Sequence, residues 1–293
     1  MASLYLVDGT YELFRAHFGA PPRTSPDGTS IGAVTGLLQT LLLLLREQQP
    51  EYIACAFDHV VESFRNDLFE GYKTGEGTPE DLAAQFELAE TISRSLGIVT
   101  WPMVEFEADD AIATATTRWK HEPEIDKVVI CSVDKDLMNL VEGDRVVVWD
   151  RRRDITYTEA DVIERFGVPP ASIPDYLALV GDSADGIPGV PRWGAKGTAT
   201  VLAEFGHIDS IPESHEDWAV AVRGARSLAT NLAECRNEAE LYRTLATLRT
   251  DVPLTHELED LRWHGVPQDE YLALCVSLGL ERLRDTPERW QQE

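Results

Sequence analysis

Ser3-Leu-Tyr-Leu-Val-Asp8 is a short apolar run that ends in an acidic residue, and it sets the fold class that we expect. The pattern returns in Glu51-Tyr-Ile-Ala-Cys-Ala-Phe-Asp58, and Lys127-Val-Val-Ile-Cys-Ser132 runs into two further aspartates. Near-continuous apolar strands separated by helices are typical of a parallel sheet covered on both faces. The carboxyl ends of such strands meet at one edge of the sheet. We therefore expect an α/β fold with acids gathered at that edge.

The other elements of the first half fit this interpretation. We expect a helix over 31–48, a strand over 98–104, a helix over 108–119, and a hairpin of 146–149 with 154–157. From Thr158 onward the strand signal disappears and helical segments alternate with Gly- and Pro-rich turns. The sequence therefore predicts an α/β core over 1–157 and a mainly helical part over 158–293.

Composition limits the classes of partner. The 293 residues carry a net charge of -25, which counts against tight, non-specific binding to nucleic acid. Any substrate groove must then be a local basic strip. The longest apolar run, 37–45, is far shorter than the ~20 residues that cross a bilayer, and no signal peptide is evident. We expect a cytoplasmic protein without membrane contact.

Nine acidic residues recur mostly where predicted strands end. Each small group alone could be an ordinary polar helix start or loop, but so many carboxylates in one crevice would repel each other unless cations held them together. Oxygen ligands favour Mg²⁺ or Mn²⁺ over zinc. Two such ions roughly 4 Å apart are suited to phosphodiester hydrolysis. The nine are Asp8, Asp58, Glu107, Asp109, Asp110, Asp134, Asp136, Asp182 and Asp185.

The spacing within each group suggests a local geometry. The trio at 107–110 opens a helix, where the free N–H groups and the positive end of the helix dipole favour acidic side chains. Asp134 and Asp136 would lie on one side of an extended segment, since side chains alternate with period two. Asp182 and Asp185 would share a face of a helical turn.

Phe64-Arg65-x-x-Leu68-x-x-x-Tyr72-Lys73 is a second informative stretch. In a helix, Arg65 and Tyr72 lie on one stripe with Lys73 beside it. An arginine fork and a lysine charge suit a scissile phosphate, and an aromatic ring can stack on a base. The alternative is a solvated helix whose apolar side chains, Tyr72 included, face the core.

The segment from Gly181 to Ala199 places glycines and prolines after an aspartate pair and then opens a helix near Ala195. Free N–H groups at that helix start, together with Lys196, can hold one phosphate of a duplex backbone. Such a contact positions DNA without reading its sequence.

Together these motifs resemble the 5′-nuclease family, which includes flap endonucleases and the 5′→3′ exonuclease domain of bacterial DNA polymerase I. Nine acidic positions match in order, and the resemblance extends from Leu4 to about Val252. It implies a PIN-like, mostly parallel central sheet flanked by helices, with a helical arch over about 60–95. It also implies a helix–hairpin–helix-type motif over about 175–206 that binds duplex DNA. With no polymerase segment following, we expect a stand-alone nuclease.

The resemblance also implies roles for single residues. Asp8, Asp58, Glu107, Asp109 and Asp110 would lie nearer one metal, and Asp134, Asp136, Asp182 and Asp185 nearer the other. Arg65, Tyr72 and Lys73 would be catalytic residues at the base of the arch. The duplex would contact Gly189, Val190, Trp193, Gly194, Lys196 and Arg223, and the hairpin could also hold K⁺.

The implied activity is Mg²⁺- or Mn²⁺-dependent hydrolysis of DNA at 5′ ends, nicks, gaps or flaps, in repair or replication. The implied enzyme is a monomer of bacterial type that acts on the nucleoid. Two departures stand out. Thr74-Gly-Glu-Gly-Thr-Pro-Glu80 is acidic where polymerase-linked members have a basic arch, so flap handling is in question. Arg192-Trp193 replaces the usual Gly and aliphatic pair, and Trp193 either packs against a sugar or fills the core.

Three other classes of protein share part of these features. A haloacid-dehalogenase-type phosphatase needs a nucleophilic Asp two residues before Asp8, where this chain has Leu6. An RNA-directed PIN-type protein would lack the duplex-binding hairpin, and a non-catalytic DNA-binding protein would tolerate loss of the second metal group. Arg151-Arg152-Arg153 at the predicted hairpin tip is interpreted as a solvated turn.

Overall fold

The computed structural model describes residues 2–292, which form two compact units interleaved along the chain. The first unit takes in the chain up to Val61, then Gly75–Ser132 and the part from Thr250 onward. The second unit consists of Glu62–Thr74 and Val133–Arg249. The functional division into 1–157 and 158–293 stays a prediction.

Four parallel strands form the sheet of the first unit. They are β1 (Ala2–Asp8), β2 (Tyr52–Asp58), β3 (Val99–Met103) and β4 (Ile125–Cys131), in the order β3-β2-β1-β4. Leu4 lies opposite Tyr52, and Asp8 lies opposite Ala56, so β1 and β2 end at the same edge. Side chains on both faces of β1 and β2 are buried, as the apolar runs predict.

Helices surround this sheet and are the main regular elements of the second unit. In chain order they are α1 (Gly9–Gly19), α2 (Gly32–Gln48), α3 (Phe64–Leu68), α4 (Glu80–Ala83), α5 (Phe86–Ser95), α6 (Ala108–Trp119), α7 (Glu159–Phe166), α8 (Ile173–Val180), α9 (Ala195–Phe205), α10 (Ala225–Glu234), α11 (Arg236–Ala246) and α12 (Gln268–Ser277). The bounds of α2 and α6 agree with the prediction to within one residue.

The helix α1 was not predicted. It begins directly after β1, with Asp8 as its N-cap and Glu12 in its first turn. It packs against α2, whose leucines are mostly buried. The cap and the acidic first turn were the signals that could have revealed this helix.

The second unit contains an antiparallel pair, β5 (Val146–Asp150) and β6 (Ile155–Tyr157), at the predicted hairpin. After it come helices and turns, so the expected α/β class with a mainly helical second half is confirmed. The range 60–95, predicted as an arch, holds α3, α4 and α5, and its role as an arch stays a prediction. Across residues 2–292, no helix is both long enough and apolar enough to cross a bilayer.

Candidate metal centre

Asp8 joins the end of β1 to the start of α1. Its Oδ1 accepts a hydrogen bond from the Tyr11 N–H at 2.9 Å, and its Oδ2 accepts one from the Ser132 hydroxyl at 2.7 Å. The first bond satisfies a free N–H group of the helix start. Asp8 is therefore both a buried carboxylate at the sheet edge and the cap of a helix.

Asp58 connects β2 to the acidic trio. Its Oδ1 accepts a hydrogen bond from the Ala108 N–H at 2.8 Å, at the first residue of α6. Glu107 is the N-cap of α6, and its own N–H donates to Asp110 Oδ2 at 3.0 Å, so the two close a capping box. The trio opens a helix as predicted, and the first unit brings Asp58 to it. Asp109, the third member, is half-buried on the same turn.

The second unit gathers Asp136, Asp182 and Asp185. Each offers one carboxylate oxygen, and these atoms lie within 4.8 Å of one another. All three residues are buried, with exposed fractions of 6%, 4% and 6%. We call these three residues the aspartate cluster.

The backbone around the aspartate cluster differs from the sequence prediction. Asp182 and Asp185 lie in a tight turn and not in a helix, because Asp182 and Ile187 exchange both backbone hydrogen bonds, at 2.9 and 2.8 Å. Asp136 begins a 3-10 helix, Asp136–Leu140, and not an extended segment. There Asp134 Oδ1 accepts the Asp136 N–H at 2.9 Å, in a turn that aspartate favours.

Gly186 allows this turn to approach the segment before Lys73. It has a φ of +74°, and a Cβ there would lie 2.1 Å from the Gly71 carbonyl oxygen. Only glycine fits such an approach. The contact is fixed further by the Lys73 N–H, which donates to the Asp185 carbonyl at 3.0 Å.

Asp136 carries the observation most relevant to a metal. Burial raises the pKa of Asp136 well above its usual value, and the charges of Asp134, Asp185 and Asp182 raise it further, while Lys73 opposes them. Within residues 2–292, Asp136 Oδ1 is buried and no hydrogen-bond donor reaches it. A buried carboxylate oxygen that lacks a donor and faces like charges is suited to a cation. The residues present therefore fit a hard divalent ion.

Two lysines offset part of this negative charge. Lys73 Nζ lies 3.3 Å from Asp185 Oδ1, and Lys135 Nζ contacts Asp182 Oδ2. Lys73 was singled out from the sequence, whereas Lys135 was not. Its position between two acids in Asp134-Lys135-Asp136 was the available signal.

Arg65 and Tyr72 are both buried in the second unit. Arg65 is 1% exposed, and its guanidinium donates from Nε to the Leu245 carbonyl at 2.8 Å and from Nη2 to the Thr247 carbonyl at 3.1 Å. Tyr72 is 3% exposed. These contacts fasten α3 to the end of α11, and the predicted catalytic roles of both residues remain predictions.

The predicted duplex-binding hairpin leads into α9. Gly189 has a φ of +75°, and a Cβ there would lie 2.6 Å from the Gly181 N. Gly194 is the N-cap of α9 without a side-chain cap, and Lys196 in the first turn is exposed. The first N–H groups of α9 therefore carry no side-chain cap and begin at an exposed N-cap, an arrangement that suits an anion.

The three other predicted DNA-contacting residues differ in exposure. Val190 is buried. Trp193 is also buried, donates from Nε1 to the Leu228 carbonyl at 3.1 Å, and lies 6.1 Å from the Trp218 ring, so it packs in the interior of its unit. Arg223 is exposed, immediately before Gly224 at the start of α10. The DNA contacts of all three stay predictions.

Two family models match consecutive parts of the chain. The model of the 5′-3′ exonuclease N-terminal resolvase-like domain matches residues 3–167, and that of the 5′-3′ exonuclease C-terminal SAM fold matches residues 168–269. The chain belongs to the 5′-3′ exonuclease family. The family resemblance expected from the nine acids is confirmed.

Curated relatives agree with this membership. The chain is 32% identical over 263 residues to a 5′-3′ exonuclease of Aquifex aeolicus, covering 89% of this chain and 87% of that one. It is 39% identical over 267 residues to a DNA polymerase I of Rhizobium leguminosarum, covering 88% of this chain and 26% of the polymerase. It spans between 26% and 31% of the length of the DNA polymerase I relatives.

Solved structures share the fold. A bacteriophage T5 flap endonuclease, in a complex with DNA and metal ions, superposes with a TM-score of 0.66 at 22% identity, over 85% of this chain and 90% of that chain. At this identity the likeness shows the fold alone. The expected PIN-like α/β architecture is thereby supported by an experimental structure.

Proposed function

We propose that the chain is a divalent-metal-dependent 5′ nuclease that hydrolyses phosphodiester bonds of DNA at 5′ ends, nicks, gaps or flaps. The observation that carries the proposal is the aspartate cluster, in which a buried Asp136 oxygen has no hydrogen-bond donor among residues 2–292. Membership of the 5′-3′ exonuclease family points to the same chemistry.

Oxygen-only ligands favour Mg²⁺ or Mn²⁺. In this proposal the aspartate cluster and Asp134 hold one ion. The carboxylates of the first unit hold another: Asp8, Asp58, Glu107, Asp109 and Asp110. Such ions, when bound, supply an activated water and charge stabilisation for phosphodiester cleavage.

Lys73 has a role that the geometry supports directly. Its ammonium group lies 3.3 Å from Asp185 Oδ1 at the edge of the aspartate cluster and is half-buried. An ammonium group that pairs with a carboxylate before substrate arrives can donate to a phosphate oxygen afterwards, since its three donors rotate. We assign to Lys73 the steadying of the scissile phosphate.

DNA is held elsewhere in the second unit. The first N–H groups of α9, with the exposed Lys196, hold one phosphate of the duplex, and Arg223 holds another. The bacteriophage T5 flap endonuclease of the same fold is described in a complex with DNA and metal ions, which supports DNA as the ligand. A K⁺ ion at the Gly189 hairpin, a monomeric state and a cytoplasmic location belong to the same proposal.

The test incubates the purified protein with labelled 5′-flap, nicked-duplex and single-stranded DNA, and with a single-stranded RNA, with and without Mg²⁺. We expect Mg²⁺-dependent release of 5′ products from DNA. Asp136→Asn should abolish that release, and the control Asp285→Asn, at an exposed position in the C-terminal segment, should not. A folded protein that hydrolyses none of these substrates would sink the proposal. Cleavage of RNA alone would favour an RNA-directed enzyme.

A further inference from the structure

The turn between β5 and β6 has the sequence Asp150-Arg-Arg-Arg-Asp154, and we call residues 151–153 the arginine tip. Hydrogen bonds to Asp150 and Asp154 fix the shape of this turn. Asp150 is 2% exposed, and its Oδ1 accepts the N–H groups of Arg152 at 3.0 Å and Arg153 at 3.1 Å. Asp154 has a φ of +54° and accepts the Trp149 Nε1–H at 3.1 Å. The turn is therefore held by its own acids.

The acids at the two ends of this turn leave much of its positive charge accessible. Arg152 is exposed, and the side chain of Arg153 is 67% exposed, with Asp150 Oδ2 3.7 Å from its guanidinium. Arg151 lies over the Trp149 ring, with 5.6 Å between its guanidinium carbon and the ring centroid. The whole chain has 51 acidic and 26 basic residues, so it is strongly negative. Three consecutive arginines on one turn therefore form a local basic site.

The arginine tip follows a strand, β5, that contacts the 3-10 helix beginning at Asp136. After the 3-10 helix Asp136–Leu140, Glu142 and Val146 exchange backbone hydrogen bonds at 3.1 Å each, so the chain turns back there. β5 then packs against that 3-10 helix. Asp150, the last residue of β5, then begins the turn that carries the arginine tip.

We propose that the arginine tip binds the phosphate backbone of the duplex part of the substrate. This inference rests on the proposed nuclease function. Guanidinium groups match phosphate oxygens in a fork-like geometry. Because the turn is stiff, its arginines suit the regular phosphate spacing of a duplex better than a flexible single strand. The contact neutralises phosphates without reading bases, so it supplies affinity and orientation.

The test measures binding without cleavage. Fluorescence anisotropy with a labelled duplex in EDTA gives the apparent Kd between about 50 and 200 mM salt. For the double variant Arg152→Gln/Arg153→Gln, we expect the slope of log affinity against log salt to fall in magnitude by about 1 to 2. Arg152→Lys/Arg153→Lys should keep most of the slope, because each charge remains.

A matched control removes the same charge elsewhere. Arg282→Gln/Arg284→Gln changes two arginines in the C-terminal segment of the first unit, of which Arg282 is exposed and the Arg284 side chain is 42% exposed. It should leave the slope unchanged. An unchanged slope in Arg152→Gln/Arg153→Gln, with native circular dichroism, would overturn the inference, as would a loss confined to single-stranded DNA. If the wild-type protein cleaves nothing, the proposed function fails instead, so the two failures are distinguishable.

Discussion

The two units hold their carboxylates in different ways. In the first unit, Asp8 and Asp58 accept hydrogen bonds from the Tyr11 N–H, the Ser132 hydroxyl and the Ala108 N–H, at 2.7 to 2.9 Å. In the second unit, the aspartate cluster is offset by the ammonium groups of Lys73 and Lys135, and one oxygen of Asp136 has no donor within residues 2–292.

This difference separates two roles of a carboxylate, capping a helix and binding a cation. The carboxylates of the first unit cap α1 and α6, so they contribute to folding as well as to any metal site. Those of the aspartate cluster repel each other in a buried place, so they oppose folding until a cation binds. A site of that kind trades stability for function.

The largest expected effect comes from Asp136→Asn, which removes one of the repelling charges. Cleavage should fall by at least about 100-fold, because a lost metal ligand costs several kcal/mol of transition-state stabilisation. The metal-free variant should nonetheless unfold at a temperature higher by about 2–4 °C. Single-turnover cleavage and calorimetry in EDTA measure the two quantities.

The control for this prediction is Asp134→Asn, since Asp134 is only half-buried and caps the backbone of Asp136. It should lower cleavage and raise the melting temperature by less than Asp136→Asn does, because its charge repels Asp136 but is itself half-exposed. If the metal-free Asp136→Asn protein is less stable than wild type, other contacts stabilise the buried Asp136 charge, and repulsion within the aspartate cluster does not oppose folding.

The next effect shows whether Asp8 stabilises the first unit through its hydrogen bonds or through its negative charge. Asp8→Ala should lower the free energy of unfolding by about 1–2 kcal/mol, since the Tyr11 N–H and the Ser132 hydroxyl both lose their acceptor. Asp8→Asn keeps an acceptor oxygen and should retain most of that stability, while both variants lose cleavage. Urea unfolding followed by circular dichroism measures the difference. Equal losses in the two variants would mean that the charge of Asp8, and not its cap, stabilises the first unit.

The strand ends and helix bounds were predictable because they depend on local patterns. The apolar runs ending at Asp8 and Asp58 predict β1 and β2, and the acidic trio predicts the start of α6. α1 was missed because its leading signal was an N-cap that had already been interpreted as a metal ligand. Local patterns therefore placed Asp8, Asp58 and the trio correctly, whereas the backbone predicted for the aspartate cluster was wrong.

The state of each acid could not be predicted, because it depends on contacts between distant residues. The aspartate cluster forms only where the turn at Gly186 approaches Gly71, more than a hundred positions earlier in the chain. In the same way, the sequence predicts that Arg65 lies on one stripe of a helix with Tyr72. In the structure its guanidinium donates to the carbonyls of Leu245 and Thr247. Hydrophobic periodicity carries no information about such partners.

The pH dependence of stability sharpens the comparison. Burial and the neighbouring acids raise the pKa of Asp136, so the folded state keeps its proton above the ordinary aspartate pKa of about 3.9. In the metal-free protein, the unfolded state therefore releases that proton first as the pH rises, and wild type loses stability relative to Asp136→Asn. The gap should open from about pH 4 upward and level off above the raised pKa. Melting temperatures in EDTA across pH check this, and a constant gap would contradict it.

The smallest effect concerns Lys135, which competes with a cation for Asp182. Its side chain is 41% exposed, so the ion pair is partly screened and is worth at most about 1 kcal/mol. Lys135→Met should therefore tighten Mn²⁺ binding by about threefold, which corresponds to roughly 0.7 kcal/mol. Isothermal titration of Mn²⁺ measures this, with Lys120→Met in the first unit as the control at another lysine. Weaker Mn²⁺ binding in Lys135→Met would mean that the lysine orients Asp182 for the metal. The lysines of the second unit would then support the metal site and would not compete with the cation.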